Sequence, residues 1–327
     1  MNDMHTVAFP GLGLEFEINS VAFSIAGIEV KWYGILITIG ICLALFMFYR
    51  YAKNKEGLPE DHLYNLALIT VPVAIVGARV MYVVTEWDRY QGDFLKMINI
   101  REGGLAIYGA IIFGIITVYT YSRITKLSTL KLMDAAAPAV MIGQAIGRWG
   151  NFMNAEAYGY SPGVENLPWR MEITDSLGRV TVAHPTFLYE SLWNFVGILL
   201  IYLIFYKKKK FDGQIFFTYL GWYGFGRMWI EMLRTDSLYL FKGWLGETIK
   251  ISVFIGAVSV VASIVGMIFL YHKSKKKAAQ EAYTPKFASV KVETVEESEI
   301  PREEEAATEE VAKEVAEEVE SHEGSQT

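Results

Sequence analysis

The sequence predicts an all-α polytopic membrane protein with about seven transmembrane helices and a small extracytoplasmic loop and hairpin region. Three observations predict this class. Hydrophobic residues make up 52% of the 327 residues, and charged residues only 20%. The apolar residues gather in runs near the length of about 20 residues that a helix needs to cross the hydrocarbon of a bilayer. Short clusters of Lys and Arg separate alternate runs, as in multi-pass proteins.

Seven stretches are long and apolar enough to span a bilayer, or nearly so. The fourth is short and carries Asp134 and Pro138, so we expect it to be kinked or only partly exposed to lipid. The predicted helices cover residues 32–51, 65–85, 105–121, 132–146, 187–206, 215–233 and 251–271.

Charge is unevenly distributed along the chain. Residues 281–327 contain 15 Glu, 3 Lys and 1 Arg, a net charge of −11 against −6 for the whole chain, so residues 1–280 carry about +5. A basic, apolar body indicates a membrane with anionic lipid as its surroundings and no nucleic acid partner. The sequence therefore predicts a transmembrane domain over 1–277 and an acidic, disordered cytoplasmic tail over 278–327.

The basic clusters also predict the orientation of the helices. One set of alternate connections holds 14 Lys and Arg in four short segments, residues 50–55, 123–131, 207–210 and 273–277. The opposite connections mix their few basic residues with acidic ones. Because cytoplasmic loops carry an excess of Lys and Arg, the N-terminus is predicted to lie outside and the C-terminus inside. Residues 1–20 show no pattern of a cleavable signal sequence.

The largest outer connection is predicted to be residues 148–186. Within it, residues 169–174 and 179–184 flank a turn at 175–178, which is typical of a β-hairpin. Residues 14–30 alternate loosely between apolar and polar side chains and are predicted to add strand at the same surface.

Polar residues recur at one depth of the predicted bundle, near its outer end. An ionisable side chain in a spanning helix costs free energy, because it must leave water. Its presence there therefore indicates a functional role. Arg79 lies six residues before the outer end of the second helix, roughly 9 Å inside at 1.5 Å per residue. Because arginine suits bidentate phosphate binding, three arginines at this depth predict an anionic ligand in the outer leaflet. The residues at this depth are Arg79, Tyr108, Arg148, Tyr189, Glu190, Arg227 and Glu231.

Each of these residues also has a structural alternative. Arg227 and Glu231 are four residues apart, and such a pair can staple a helix. Arg79 can extend along the helix toward the interface. Glu190 can be a satisfied structural carboxylate, and His184 a hydrogen-bonding loop residue. The recurrence of one depth on several helices favours a shared ligand site.

Residues 147–159 follow the fourth predicted helix and are dense in polar groups. Gly150 and Gly159 are expected to permit backbone turns. A cation, two amides and a carboxylate within nine residues form a plausible cradle for a headgroup, with the phosphate on arginine and hydroxyls on the rest. These four residues are Arg148, Asn151, Asn154 and Glu156. The alternative is a turn held together by Asn side chains.

The stretch 147–159 resembles the signature of the prolipoprotein diacylglyceryl transferase family. Other blocks agree in order and spacing, and the resemblance covers roughly residues 15–270. These blocks are Trp32-Tyr33-Gly34, Gly77-Ala78-Arg79 with Tyr82, Glu102-Gly103-Gly104 with Tyr108-Gly109, His184-Pro185 with Leu188-Tyr189-Glu190, and Gly226-Arg227 with Glu231 and Arg234.

The resemblance implies a reaction in the bacterial cell membrane. Diacylglyceryl would pass from phosphatidylglycerol to the lipobox cysteine thiol of a prolipoprotein signal peptide, giving a thioether and releasing glycerol phosphate. By position, Arg148 matches the family's phospholipid-binding arginine and Arg227 its second essential arginine. Important positions of the family are matched by Tyr33, Asn151, Gly159 and Glu231. The residues 1–277 would then be the catalytic domain, and Arg79 and His184 additional substrate-binding residues.

One departure from the family concerns the base that deprotonates the thiol. Where some members carry a proposed histidine, this chain has Tyr108. A tyrosine with a reference pKa of about 10 is a poor base near neutral pH, so the base is unassigned. The chemistry calls for no metal or other cofactor, and the single cysteine, Cys42, lies in an apolar run and is expected to pack as a small apolar side chain.

An anion or lipid transporter that uses the same arginines is the alternative function. Transporters usually bind their substrate near the midplane and often contain inverted repeats. Here the predicted site is displaced outward, and the sequence shows no repeat. A purely structural membrane scaffold would leave the common depth of the arginines unexplained.

Overall fold

The computed structural model describes residues 4–25, 27–100, 103–236 and 250–283. Contacts divide the chain into two units, Met1–Ser274 and Lys275–Thr327, and the architecture below is that of the first unit. Glu102 and most of the predicted tail lie outside the described residues. The helices are α1 (Trp32–Asn54), α2 (Glu60–Thr85), α3 (Trp87–Tyr90), α4 (Phe94–Ile98), α5 (Ile107–Thr125), α6 (Thr129–Met153), α7 (Thr186–Leu200, prolonged by a π turn over Ile201–Phe205), α8 (Gln214–Leu233) and α9 (Ile251–Tyr283).

Five of these helices are long and apolar enough to cross a membrane, counted over the described residues. They are α1, α2, α5, α7 with its π turn, and α9. The chain is therefore a multi-pass membrane protein. Helices α6 and α8 stand at the other two predicted positions. They carry the buried carboxylates Asp134 and Glu231 and the partly buried Arg227, so the total of seven spans stays a prediction.

Helix α6 packs against α1, α7 and α8 and has the most buried residues of these helices. Asp134, one of the charged residues of α6, is fully buried. The carboxylate accepts the backbone N–H groups of Gly213, at 2.7 Å, and Phe216, at 2.8 Å, which begin α8. The first turn of a helix leaves such N–H groups without partners inside the helix. Asp134 therefore caps α8, which explains a charge within an apolar helix.

Helix α6 is longer than predicted, because it ends at Met153 and not near residue 146. Gly150 is therefore helical, and the expected turn there is absent. The missing side chain of Gly150 instead allows α1 to approach α6 closely. A Cβ atom on Gly150 would lie 2.6 Å from Cδ2 of Tyr33 on α1. The turn comes later, at Ala155 and Ala157, whose φ angles are 49° and 59°.

A four-stranded antiparallel sheet lies at one end of the helices. Its strands are β1 (Met4–Phe9), β2 (Leu14–Asn19), β5 (Met171–Thr174) and β6 (Val180–Ala183), in the order β2-β1-β5-β6. Strands β5 and β6 pair where the hairpin was predicted, with Ile173 opposite Thr181. The rest of the N-terminal arm forms a separate pair, β3 (Val21–Ile25) and β4 (Ile28–Lys31). The inner face of the larger sheet packs on Phe152 and Phe187, which end α6 and begin α7.

The basic connections gather at the opposite end of the helices. Lys53 pairs with Glu60 across the α1–α2 connection. Lys209 lies 2.5 Å from Glu56 and 2.7 Å from Asp134, so the α1–α2 and α7–α8 connections meet helix α6 at one ion cluster. Cys42 is exposed on α1, so the expectation that it packs inside the protein is wrong.

Candidate active site

Glu190, on the first turns of α7, joins two arginines from different helices. Its Oε1 accepts a hydrogen bond from Arg148 of α6 at 2.7 Å, and its Oε2 accepts one from Arg227 of α8 at 3.1 Å. The carboxylate side chain is only 3% exposed. Because each guanidinium keeps its charge and a carboxylate lies between them, the two cations are held close together in a buried setting.

A hydrogen-bond chain leads from Arg148 to the segment after α6. Arg148 donates to Oδ1 of Asn151 at 3.2 Å, and Nδ2 of Asn151 donates to Oε1 of Glu156 at 3.0 Å. Asn154 donates to the same oxygen at 3.3 Å. The structure thus brings together all four polar residues that the sequence predicted as a cradle.

Arg227 belongs to a second branch of the same network. It lies 2.7 Å from Oε2 of Glu231, one turn later on α8, and donates to the hydroxyl of Ser252 at the start of α9 at 3.3 Å. Arg234 follows, with its Nε 3.8 Å from Glu231 and both Asp236 oxygens within hydrogen-bond distance. The sequence offered an ion pair within one helix as the alternative role of Arg227 and Glu231. That pair is present, but Arg227 also contacts Glu190 of α7 and Ser252 of α9.

The arginines keep hydrogen-bonding capacity that the described residues leave unused. A guanidinium has five N–H donors, and Arg148 makes two hydrogen bonds, to Asn151 and Glu190. The side chains of Arg148 and Arg227 are 20% and 16% exposed. A bound phosphate would therefore find donors on both cations without first entering a sealed core.

Tyr33 and Gly159, two positions taken from the family resemblance, border this network. The ring of Tyr33 packs against Gly150 of α6. Tyr33 also interacts electrostatically with the charges of Arg148 and Glu156. Gly159 exchanges two backbone hydrogen bonds with His184, at 3.2 and 2.7 Å. A Cβ atom there would lie 2.8 Å from the Leu233 carbonyl, so close approach and not a turn accounts for this glycine.

His184 has partners for both ring nitrogens. Nε2 lies 2.7 Å from the Ser161 hydroxyl, and Nδ1 lies 3.2 Å from the Tyr189 hydroxyl. Burial lowers the pKa of His184 below its usual value, so the ring is neutral at neutral pH. These contacts support the alternative of a hydrogen-bonding loop residue, and they join the outer connection to α7.

Tyr108 is the second residue of α5 and faces the site from that helix. It lies within electrostatic range of Arg227 and of Tyr223, which precedes Arg227 by one turn of α8. Neither tyrosine hydroxyl hydrogen-bonds to any of the described residues. Both hydroxyls therefore keep hydrogen-bonding capacity that the described residues leave unused.

Arg79 is the predicted site residue that the structure places elsewhere. Its guanidinium donates to four backbone carbonyls of the α2–α5 connection, at 2.7 to 2.9 Å. It also stacks on Tyr90, with its Cζ 5.0 Å from the ring centroid. Depth alone suggested a shared ligand, but these contacts anchor a loop, so we leave Arg79 out of the proposed site. The four carbonyls belong to Lys96, Met97, Gly103 and Gly104.

Sequence reasoning placed Glu190 at the depth of the site but assigned it no catalytic or binding role, and it gave no hint of Ser252. The signal for Glu190 was present, since a carboxylate within an apolar helix needs a partner. The sequence did not show that this partner would be two arginines on two other helices.

These features define a class of protein: a multi-pass membrane protein with a paired-arginine site at the end that carries a small β-sheet. A model of the prolipoprotein diacylglyceryl transferase family matches residues 20–270. The phosphatidylglycerol–prolipoprotein diacylglyceryl transferase of Lysinibacillus sphaericus is 45% identical over 277 residues, covering 82% of this chain and 97% of that protein. Enzymes of the same name from Clostridioides difficile and Finegoldia magna are 39% and 45% identical, covering 81% and 74% of this chain and 100% and 94% of those proteins.

The chain therefore belongs to the prolipoprotein diacylglyceryl transferase family. The resemblance noted in the sequence is confirmed.

Proposed function

We propose that this protein is a transferase that moves diacylglyceryl from phosphatidylglycerol to the lipobox cysteine thiol of a prolipoprotein. The observation that carries the proposal is the arginine pair of Arg148 and Arg227 around Glu190, in a chain whose relatives bear that enzyme name. The site faces the outside of the bacterial cell membrane, because the basic connections lie at the opposite end of the helices.

In the proposed reaction the thiolate sulfur attacks the glycerol carbon that carries the phosphate. A carbon–sulfur bond forms, the carbon–oxygen bond to phosphate breaks, and glycerol phosphate leaves with the electron pair. Negative charge therefore grows on the departing phosphate. Fixed cations that hold this charge stabilise the transition state more than the ground state, and this difference is what accelerates a reaction.

The site residues have separate tasks in this proposal. Arg148 and Arg227 bind the phosphate through N–H groups that Glu190 does not use. Asn151, Asn154 and Glu156 bind the glycerol hydroxyls of the headgroup. Glu231 holds Arg227 from the next turn of α8, so its contact is with the arginine and not with the lipid.

The thiol must lose its proton before it attacks, because a thiol with a pKa near 8.5 is only slightly ionised at pH 7. The Tyr108 hydroxyl borders the site from the start of α5. Cations also stabilise a thiolate, so Arg148 and Arg227 favour the ionised sulfur as well as the leaving phosphate. The group that takes the proton is left unassigned.

The experiment that tests the proposal mixes purified protein with phosphatidylglycerol and a lipobox peptide and measures the thioether product by mass. We expect product with the wild type. Arg148→Ala and Arg227→Ala should abolish turnover, and the Lys variants should lower kcat by about 10²-fold or more, because lysine cannot reproduce the forked geometry.

Arg123→Ala serves as the matched control, because Arg123 is an exposed arginine near the opposite end of α5. It should keep wild-type turnover. Full activity of both the Arg148 and the Arg227 variants would refute the site, and absence of thioether with the wild type would refute the reaction. None of the relatives named above is a transporter, and no observation favours that alternative.

A further inference from the structure

A cavity of about 690 Å³ opens between the inner face of the sheet and the segment that follows α6. This volume is within the range of pockets that hold a drug-sized molecule, and so it fits a few residues of an extended chain. Ile173 and Thr181, which are opposite each other on β5 and β6, form part of its roof. The polar residues around it include His5, Lys31, Asn154, Glu156, Asp175 and Arg179.

Glu156 links the cavity to the proposed active site through hydrogen bonds. This residue lines the cavity, and its carboxylate also accepts the hydrogen bond from Asn151 that continues to Arg148. Ala155 and Ala157, on either side, have positive φ angles of 49° and 59°. Such angles cost of order 1 kcal/mol or more for a residue with a side chain. The backbone is thus strained at both neighbours of Glu156, and in this conformation the Glu156 side chain lies between the site and the cavity.

The charges of the lining are mixed and do not favour an anion. Arg179 is already paired with Asp175, with Nη2 2.6 Å from the carboxylate. Glu156 adds a second negative charge to the two cations Lys31 and Arg179. A phosphate would meet these carboxylates, whereas a polypeptide presents N–H donors for the carboxylates and carbonyl acceptors for the cations.

We propose that this cavity binds the first few residues that follow the acceptor cysteine in the prolipoprotein. The inference rests on the proposed function and adds where the polypeptide lies. The cysteine is then at the arginine pair, the apolar signal segment before it remains in the bilayer, and the polar residues after it extend under the sheet.

The test compares two peptides on the purified protein in phosphatidylglycerol micelles. The short peptide ends at the lipobox cysteine as an amide, and the long peptide continues for six polar residues. We expect the wild type to show a KM for the long peptide at least fivefold lower. Thr181→Trp, which fills the cavity, should raise that KM at least fivefold and leave the KM for phosphatidylglycerol unchanged.

Leu177→Trp is the matched control, because Leu177 lies in the same hairpin with its side chain 74% exposed. It should keep the wild-type preference. Turnover of the short peptide reports whether each variant is folded. Ser176→Trp enters the same cavity from the turn, and it decides the result if Thr181→Trp loses turnover of the short peptide.

Equal KM values of the wild type for both peptides would overturn the inference, as would an unchanged preference in both cavity variants. A raised KM for phosphatidylglycerol in the cavity variants would assign the cavity to the headgroup and also overturn it. If the wild type forms no thioether with either peptide, the proposed function fails instead.

Discussion

At the scale of single residues, the site depends on how two cations are kept together in a medium of low dielectric. Two guanidinium groups repel each other more strongly there than in water. Glu190 offsets this repulsion by accepting from both arginines, one on each oxygen. The carboxylate itself is buried and would be costly without them. Neither the arginine pair nor the carboxylate is stable in this position alone.

Gly150 provides a prediction at this scale, because it separates stability from activity. Gly150→Ala should change the thermal midpoint little. Alanine is favoured over glycine in a helix by about 1 kcal/mol, and overpacking against Tyr33, which costs about 1–3 kcal/mol, offsets this gain. The new Cβ would lie 2.6 Å from the Tyr33 ring and displace it. We expect kcat/KM to fall about tenfold in the thioether assay.

The control for this substitution is Gly147→Ala, one turn earlier on α6. The nearest atom to its added Cβ is the Ile37 side chain at 3.4 Å, close to ordinary contact. This variant should gain the same helix propensity and keep its activity. Equal activity of the two alanine variants would show that the position of the Tyr33 ring does not matter for turnover.

At the scale of secondary-structure elements, polar side chains join elements at both ends of the helices. At the sheet end, Gly159 and His184 tie the segment after α6 to the start of α7. At the basic end, Lys209 joins the α1–α2 connection to α6 through Glu56 and Asp134, which are 2% and 0% exposed. Burial raises the pKa of Glu56 above its usual value, although Lys209 opposes this shift.

Lys209→Met should therefore destabilise the protein in a pH-dependent way. At pH 7 we expect a loss of about 3–5 kcal/mol, because two buried carboxylates lose their cation. A carboxyl group with a raised pKa in the folded state favours folding at low pH and loses this contribution as pH rises through that pKa. Without Lys209 the pKa of Glu56 rises further, so the loss should shrink as pH falls from 7 towards 5.

Thermal midpoints in detergent across this pH range measure the effect. Lys208→Met is the control, because Lys208 is the exposed neighbour and makes no contact with the ion cluster. It should follow the wild type at every pH. A Lys209→Met variant with a wild-type midpoint at pH 7 would show that the cluster does not stabilise the fold.

At the scale of the whole molecule, the ends of the helices differ in composition. One end carries the sheet, the cavity and the arginine pair, and the other carries the basic connections. This asymmetry is the physical basis for the proposed orientation, because Lys and Arg are retained on the cytoplasmic side. It would place the reaction on the face of the membrane where secreted proteins emerge.

The orientation is tested by cysteine labelling in a Cys42→Ser background. Leu177→Cys, at the exposed hairpin turn, should react with a membrane-impermeant maleimide on intact cells. Lys208→Cys, exposed at the basic end, should react only after the cells are opened. The opposite pattern would invert the orientation and move the proposed site to the cytoplasmic face.

Much of the outcome followed from local properties of the sequence. The lengths of the apolar runs predicted a multi-pass membrane protein, and the polar stretch 147–159 identified the family. Both are decided by residues near each other along the chain. The boundary of α6 was predicted less well, because the glycines were interpreted as turns, whereas Gly150 is helical and lets Tyr33 pack closely.

The sequence by itself determined the membrane class, the family and the types of residue at the site. Only the tertiary structure decided which charges meet, because the partners are distant in the chain: Glu190 is 42 residues from Arg148 and 37 from Arg227. Arg79 matched them in predicted depth, yet four nearby carbonyls take its donors. Depth in a bilayer can be calculated from a sequence, but the direction in which a side chain points depends on how the helices pack.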